Sequence, residues 1–483
     1  MIRAYDVADV RAAEQVALTA LPEHALMQRA AAGLATAALR LLSDVGRRAY
    51  GARVTLLVGT GDNGGDALLA GARLARRGAR VEAVLAAGRA HGAGLAALRA
   101  AGGRVVDHPD RPDLVVDGLL GIGGRPGLTG AAADLVAGWV DDLPICVPVL
   151  AVDLPSGIDP GTGELVGAYV RATRTVTFGA AKPALLLPPA CFAAGPVEVV
   201  DIGLRFERPA AVERLEAADL AALWPVPGPG DDKYRRGVVG VVAGGETYTG
   251  AAVLCTGAAV RAGAGMVRYV GPPAPSELVR ARWPEVVPGE GRVQAWVVGP
   301  GLDPGGEQRA AVERALSGDL PCVVDAGALD LLPSRRAAPT LLTPHAGELA
   351  RLLQTRGEGV DRAAVEAAPL WHARRAAELT GATVLLKGAV TLIVTAGAPT
   401  RSQGDGPHWL ATAGSGDVLA GLAGALLAAG LTPPDAGTLA VAVHGAAGGL
   451  ASQGGPVSAG SVLDAVPAAV ARLLRDHRWL LRD

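Results

Sequence analysis

The 483-residue sequence predicts an α/β fold in two consecutive domains. Three observations carry this: short apolar runs alternate with helical stretches, Gly-rich turns follow several of those runs, and the alternation breaks once, around residues 205–237. The opening "RAAEQVALTALPEHALMQRAAAGLATAALRLL" reads as helical. It leads to the apolar run "RVTLLVG" at 53–59, a Gly-rich turn and the helical "ALLAGARLARRG". The runs "RVEAVLA", "LVVDGLLG" and "VLAVDLPSG" follow, each apolar enough to be a strand covered on both faces, as in a parallel sheet. In "RFERPAAVERLEAADLAALWPVPGPGDDKYRRG" prolines, glycines and charges cluster, which sets a boundary near 210–230 and domains of 1–215 and 225–483. Strand candidates then resume at 238–245, 266–271, 295–301, 322–329, 340–348 and, in "TVLLKGAVTLIV", 383–394. No fixed-period repeat interrupts them.

Composition narrows the function. Half the residues are hydrophobic but only 3% are aromatic, so layers should pack closely through small side chains. A formal net charge of -2 gives no support for a polyanion-binding surface, and no nucleic-acid partner is expected. Cys146, Cys191, Cys255 and Cys322 lack the paired spacing of a zinc or redox motif and read as reduced thiols. The N-terminal stretch has no apolar signal core. The longest apolar run, 418–431, is shorter than the roughly 20 residues of a membrane span, so a cytoplasmic protein without a membrane partner is expected. Only three of the 45 basic residues are lysines, Lys182, Lys233 and Lys387, which makes each a candidate for a place that needs a compact ammonium.

Several loops carry chemistry. In "LATAGSGDVLAGLAG" the lone acid Asp417 opens a helix after Gly414, Ser415 and Gly416, and a strand end delivering this turn would aim N–H groups and the helix dipole at a phosphate. Asp417 could act there as a base toward a hydroxyl, or simply stabilise the helix end. Lys387 in "LLKGAVT" and His345 in "LTPHAGE" also follow apolar runs, where ligands of open α/β sheets gather. In the first half, "VGTGDNGGDALLAG" is neither a dinucleotide G-x-G-x-x-G nor a Walker loop, yet Asp62, Asn63 and Asp66 exceed what turn geometry needs. "VVDGLLGIGGRPG" and "AVDLPSGIDP" bring Asp117, Asp153 and Ser156 to strand ends. Oxygens of Asn63, Asp117 and Ser156 could ligate a cation, and each could equally be a cap or turn residue.

Taken in order, "YTGAAVLCTGAAVRAGAGMVRYV", "VVGPGL", "TPHAGE", "LLKGAVT" and "TAGSGDVLAG" resemble the ADP- or ATP-dependent NAD(P)H-hydrate dehydratases over residues 233–475. The resemblance implies a ribokinase-like fold and phosphorylation of the ring hydroxyl of the S epimer of a hydrated nicotinamide cofactor, followed by loss of phosphate. It implies Asp417 as the base and Gly414, Ser415 and Gly416 as the anion hole. Lys387, Gly388, Ala389, Val390, Thr391 and Gly416 would contact the adenine nucleotide. Ala252, Gly301, His345 and Asp417 would line the hydrate site, with the register between Ala251 and Ala252 open. ADP, with ATP possible, and Mg2+ are the implied donor and ion.

"GTGDNGGDAL", "DGLLGIGGRPG", "VDLPSGID" and "TVTFGAAKPALLL", with "AAEQVAL" and "ALMQRAAAG" upstream, resemble the NAD(P)H-hydrate epimerases over about residues 1–205. This implies a Rossmann-like fold and K+ on Asn63, Asp117 and Ser156. Asp62, Asn63, Gly64, Gly65 and Asp66, the loop Gly121, Ile122, Gly123, Gly124, Arg125, Pro126 and Gly127, and Asp153 would contact the hydrated dinucleotide. Asp153 is the expected acid/base, with Lys182 assisting. Asp62 stands where the family has Asn, and "FGAAKP" departs from the usual lysine pattern. Expected substrates are NADHX and NADPHX, in a homo-oligomer. The alternative is a ribokinase-like small-molecule kinase joined to a non-catalytic dinucleotide-binding module.

Overall fold

In the computed structural model, which describes all residues except 23, 304–307, 405 and 477–483, the chain divides into two compact units. One is Arg3–Val212, the other Glu213–Asp483 together with Met1–Ile2.

The first unit is built on a parallel sheet in the order Arg104–Val105, Arg80–Leu85, Arg53–Val58, Leu114–Gly118, Val149–Val152, Arg174–Phe178, Val197–Val200. Every adjacent pair is parallel. The order reverses between Arg53–Val58 and Leu114–Gly118, the doubly wound Rossmann arrangement, and its crevice opens beyond the carboxyl ends of these two strands. Buried aliphatic side chains cover both faces of the sheet, with Leu34, Leu42, Leu68 and Val54 on one and Val115, Val136 and Val170 on the other. The helical opening is two helices, Val7–Ala20 and Ala25–Asp44, rather than one. Pro22, without an amide hydrogen and pushing its predecessor out of the α region, accounts for the break.

The second unit carries parallel strands Thr383–Leu386, Thr340–Leu342, Cys322–Val324, Ala295–Val298, Val238–Val242, Met266–Val270 and Val287–Pro288, in that spatial order. Thr391–Val394 and Thr400–Gln403 add antiparallel strands outside Thr383–Leu386. The expected run 383–394 is therefore a hairpin, turning at Lys387–Val390. This unit also reverses direction at its centre, between Val238–Val242 and Ala295–Val298. The small-residue packing read from composition is visible in the helix Ser415–Ala428: a Cβ at Gly421 would stand 2.1 Å from the Cys255 carbonyl oxygen, and one at Gly424 2.0 Å from a Val297 methyl. The helix Thr249–Arg261 and the sheet approach closer than any side chain would allow. No described helix is long and apolar enough to cross a membrane.

Candidate active sites

In the second unit, three chain segments meet at carboxyl ends of strands. Lys387 follows Thr383–Leu386, and its amide donates to the Pro344 carbonyl at 2.8 Å, tying the hairpin turn to the loop before the helix Ala346–Thr355. His345 caps that helix. Its Nδ1 accepts from the amides of Gly347 and Glu348 at 3.1 and 3.2 Å, and Glu348 Oε2 accepts from the His345 amide at 2.8 Å. With Nδ1 used as an acceptor, the half-exposed Nε2 edge lies 3.6 Å from Glu348 Oε1.

The Lys387 ammonium donates to Asp325 Oδ1 at 2.9 Å and lies 3.6 Å from Glu348 Oε2. Asp325, 2% exposed, also accepts from Thr343 Oγ1 at 2.7 Å. Burial works against the Lys387 charge, but Asp325 and Glu348 outweigh it and raise its pKa. The ammonium is also close to the helix Ser415–Ala428: a Cβ on Gly416 would be 3.5 Å from Nζ. Gly414 precedes this helix at φ 84°, a conformation that favours glycine.

Asp417 sits in the first turn. Burial, and then the like charges of Asp325 and Glu348, push its carboxyl up to about 7 in spite of Lys387. The anion hole differs from the expected one in two respects. The segment before it is the 3-10 turn His408–Leu410, not a strand end, and the Ser415 amide already donates to the Thr412 carbonyl at 3.3 Å. Helical geometry leaves the amides of Gly416 and Asp417 without intrahelical acceptors. Ser415 Oγ instead bonds His444 Nε2 at 3.0 Å, and burial lowers His444 to about 4, keeping it neutral.

Gly301 stands at the reversal point with φ 62°, where an added Cβ would come 2.4 Å from the Ala251 Cβ. Ala252 is fully buried, against Gly244, so Ala251 is the residue that faces Gly301. Gly388, Ala389 and Val390 lie in the hairpin turn and Thr391 begins the strand after it, with the Gly388 amide 3.5 Å from Thr391 Oγ1. Asp325 escaped the sequence reading although it carries the signal that marked Asp117, an acid directly after an apolar strand. Glu348 closes the "TPHAGE" motif, three residues after His345, the spacing of a capping box.

In the first unit, the helix Asp62–Ala75 begins where the sheet reverses. Gly59 comes so close to the neighbouring loop that a Cβ would lie 1.8 Å from the Leu119 carbonyl oxygen. Asn63 Nδ2 donates to the Leu120 and Val152 carbonyls at 3.0 and 2.6 Å. Ser156 Oγ donates to Asp117 Oδ1 at 2.6 Å and lies 3.2 Å from the same Leu120 carbonyl. Asn63 and Ser156 thus meet at the Leu120 carbonyl, and Asp117 joins them through Ser156. Asp117, also bonded to the Ser156 amide at 2.8 Å, is fully buried, and that burial raises it to about 6. Among the described residues no group of three or more His, Cys, Asp or Glu could hold a metal. A cation here would depend on amide, hydroxyl and main-chain oxygens around a single carboxylate, a donor set of hard oxygens that suits a hard cation.

The loop Gly121–Gly127 turns through the Gly124 amide on the Gly121 carbonyl at 2.9 Å, leaving Gly123, Arg125 and Pro126 exposed, while Ile122 packs near Tyr5 and Val10. A Cβ on Gly121 would lie 2.5 Å from Asn63 Oδ1. Gly64 is similarly constrained, 2.2 Å from the Gly59 oxygen, and Gly65 faces His91 and Met27. Asp62 occupies the first helical position, where its charge satisfies the dipole that an anionic ligand would otherwise meet.

Asp153 has φ 67°, a strained conformation for a residue with a side chain. Its Oδ1 accepts from the Lys182 ammonium and from Thr177 Oγ1 at 2.9 Å. Lys182, only 1% exposed, also donates to Thr177 Oγ1 at 2.9 Å and the Phe178 carbonyl at 3.2 Å. The expected assistant near the ring is therefore a fully engaged buried ammonium. Glu14, absent from the sequence-derived site, lies within electrostatic reach of Lys182, Asp153 and Asp62.

Comparison with known proteins places both halves. A family profile for NAD(P)H-hydrate dehydratase matches residues 239–465, and one for the YjeF-related protein N-terminus matches residues 23–184. The bifunctional NAD(P)H-hydrate repair enzyme Nnr of Mycobacterium leprae is 48% identical, covering 99% of this chain and 98% of its own. The chain belongs to the family of bifunctional NAD(P)H-hydrate repair enzymes. Its relative in Corynebacterium glutamicum is 36% identical over 97% of this chain and 98% of its own. Among solved structures, the ADP/ATP-dependent NAD(P)H-hydrate dehydratase from Bacillus subtilis, co-crystallised with ATP/Mg2+, is 28% identical, with a TM-score of 0.49, over 53% of this chain and 97% of that one. Within this family, the repair-enzyme architecture accounts for two separate loop clusters on one chain.

Proposed function

We propose that this member of the family repairs hydrated NADH and NADPH: the first unit epimerises R and S NAD(P)HX, and the second dehydrates the S form at the expense of ADP. The observation that carries the dehydratase reading is Asp417, a half-buried acid brought near neutrality beside Lys387 at one helix N-terminus. Hydroxide is a poor leaving group, so the ring hydroxyl must first become a phosphate ester. Asp417 takes the hydroxyl proton as the oxygen attacks the nucleotide's terminal phosphorus. The N–H groups of Gly416 and Asp417 and the Lys387 ammonium stabilise charge on the transferring oxygens. Asp325 and Glu348 hold Lys387 in place. Ser415, engaged with His444, fixes the turn.

Magnesium would travel with the nucleotide phosphates and offset their charge, since no described carboxylate cluster forms a cage for it. In the first unit, potassium on Asn63, Asp117 and Ser156 would supply fixed positive charge beside the loop 121–127. Gly301 and His345 line the hydrate site. ADP over ATP, cytoplasmic location and homo-oligomeric assembly complete the proposal. Product analysis on pure S-hydrate with ADP tests it: one NADH, one AMP and one phosphate per turnover are expected. A phosphorylated product without phosphate release would establish a kinase instead.

A further inference from the structure

Asp66, expected among the contacts of the hydrated dinucleotide, has so far been given no chemical step. Asp66, in the second turn of the helix Asp62–Ala75, is 8% exposed, and its Oδ1 has no hydrogen-bond partner among the described residues. A buried ionised carboxylate without a donor is strongly disfavoured. The charged groups facing it come from four elements: Asp62 on its own helix, Glu14 on Val7–Ala20, Asp153 after the strand Val149–Val152, and Lys182 on the turn after Arg174–Phe178. Three of these are acids, and the one cation gives its hydrogen bonds to Asp153, Thr177 and the Phe178 carbonyl. Burial, followed by Asp153, Asp62 and Glu14, therefore holds Asp66 protonated well above the usual carboxylate range. Burial also raises Glu14, ahead of Asp153 and Asp62, while Lys182 and Arg11 oppose it.

Asp153 is in the opposite condition. An ammonium and a hydroxyl converge on its Oδ1, with the Phe178 amide at 3.4 Å. These donors tie Oδ1 to the Lys182 and Thr177 side chains, which fixes where the Asp153 side chain stands.

We propose that Asp66 is the catalytic proton donor for epimerisation and that Asp153, held by Lys182 and Thr177, is a positioning residue beside it. This rests on the epimerase reading. The C–O bond at the ring carbinol carbon breaks with its electron pair going to oxygen. The Asp66 proton passes to that oxygen, which leaves as water. The lone pair of the adjacent ring nitrogen forms a C=N bond, leaving a ring cation in the field of Asp153, Asp62 and Glu14. Water then adds to either face and returns a proton to Asp66, so atoms and charge balance with no oxidant or reductant.

The test uses the full chain and the isolated R epimer of hydrated NADH without nucleotide, with exchange to S followed by chromatography above the uncatalysed rate. The wild type is expected to exchange, with a rate that falls as rising pH ionises the donor. Asp66→Asn should lose about 10²- to 10⁴-fold in exchange rate while binding the R epimer within tenfold of wild type. Asp66→Glu should recover part of the rate and the falling alkaline limb. An Asp66→Asn enzyme exchanging at the wild-type rate overturns the assignment. So does loss of binding and exchange together in both variants, which would mark a structural role. A wild-type chain that binds but exchanges nothing overturns the epimerase reading itself, and this proposal with it.

Discussion

Replacing Asp417 by Asn keeps the shape of the side chain and removes its basicity, and the structure gives the expected size of the effect. With the carboxyl at about 7, half of the wild-type enzyme holds the base ionised at neutrality, and about one tenth does so at pH 6. Nucleotide-dependent kcat/KM should therefore climb about tenfold per unit below the midpoint and level off above pH 8. An aspartate at its ordinary 3.8 would give a flat profile over this range. The Asn variant should lose about 10²- to 10⁴-fold at pH 8, the usual contribution of a general base. Stability should move the other way. The folded carboxyl keeps its proton up to about 7 whereas the unfolded one releases it near 3.8, so wild-type stability falls as pH rises between these values. At about 1.36 kcal/mol per unit, the Asn variant should gain on the order of 4 kcal/mol relative to wild type at pH 8 and little at pH 3. Initial rates of phosphate release from pH 5.5 to 8.5, paired with denaturant melts, read both effects. A flat wild-type profile, or an Asn variant within tenfold of wild type, would refute the assignment of Asp417 as base.

Two further substitutions probe the frame around the sites. Lys182→Met leaves Asp153 buried without its ammonium, and about 3–5 kcal/mol of stability should be lost from the first unit, measured by denaturant unfolding. Gly301→Ala combines φ 62° with a Cβ 2.4 Å from that of Ala251, so it should cost about 1–3 kcal/mol and raise KM for the S-hydrate. Wild-type KM in that variant would show that the Gly301 loop does not touch substrate.

Much of this was legible in the sequence because parallel α/β proteins place function where strands end. The apolar runs marked the strands, and the acids and glycines after them marked both reversal points. Lysine scarcity was informative as well. Lys182 is buried and Lys387 half-buried against acids, while Lys233 is exposed near the Tyr234 ring, 5.3 Å from its centroid. Three features were not legible. The hairpin at 387–390 lies inside an unbroken apolar pattern, and periodicity alone cannot show a turn there. The donors on Asp153 Oδ1 come from Thr177 and Lys182, far along the chain. The isolation of Asp66 is a property of its surroundings, because nothing local distinguishes it from Asp62. Partnership and burial are set by tertiary contacts, so the sequence marked the acids without ranking them.

The most direct test of the repair account supplies the intact chain with an R and S mixture of hydrated NADH, ADP, magnesium and potassium. Recovery of NADH absorbance is followed alongside phosphate release. The account predicts near-complete recovery with one phosphate per NADH, at a rate through the R fraction that exceeds uncatalysed exchange. Recovery that halts at the S fraction would contradict the epimerase half, and no recovery with either ADP or ATP would contradict the whole.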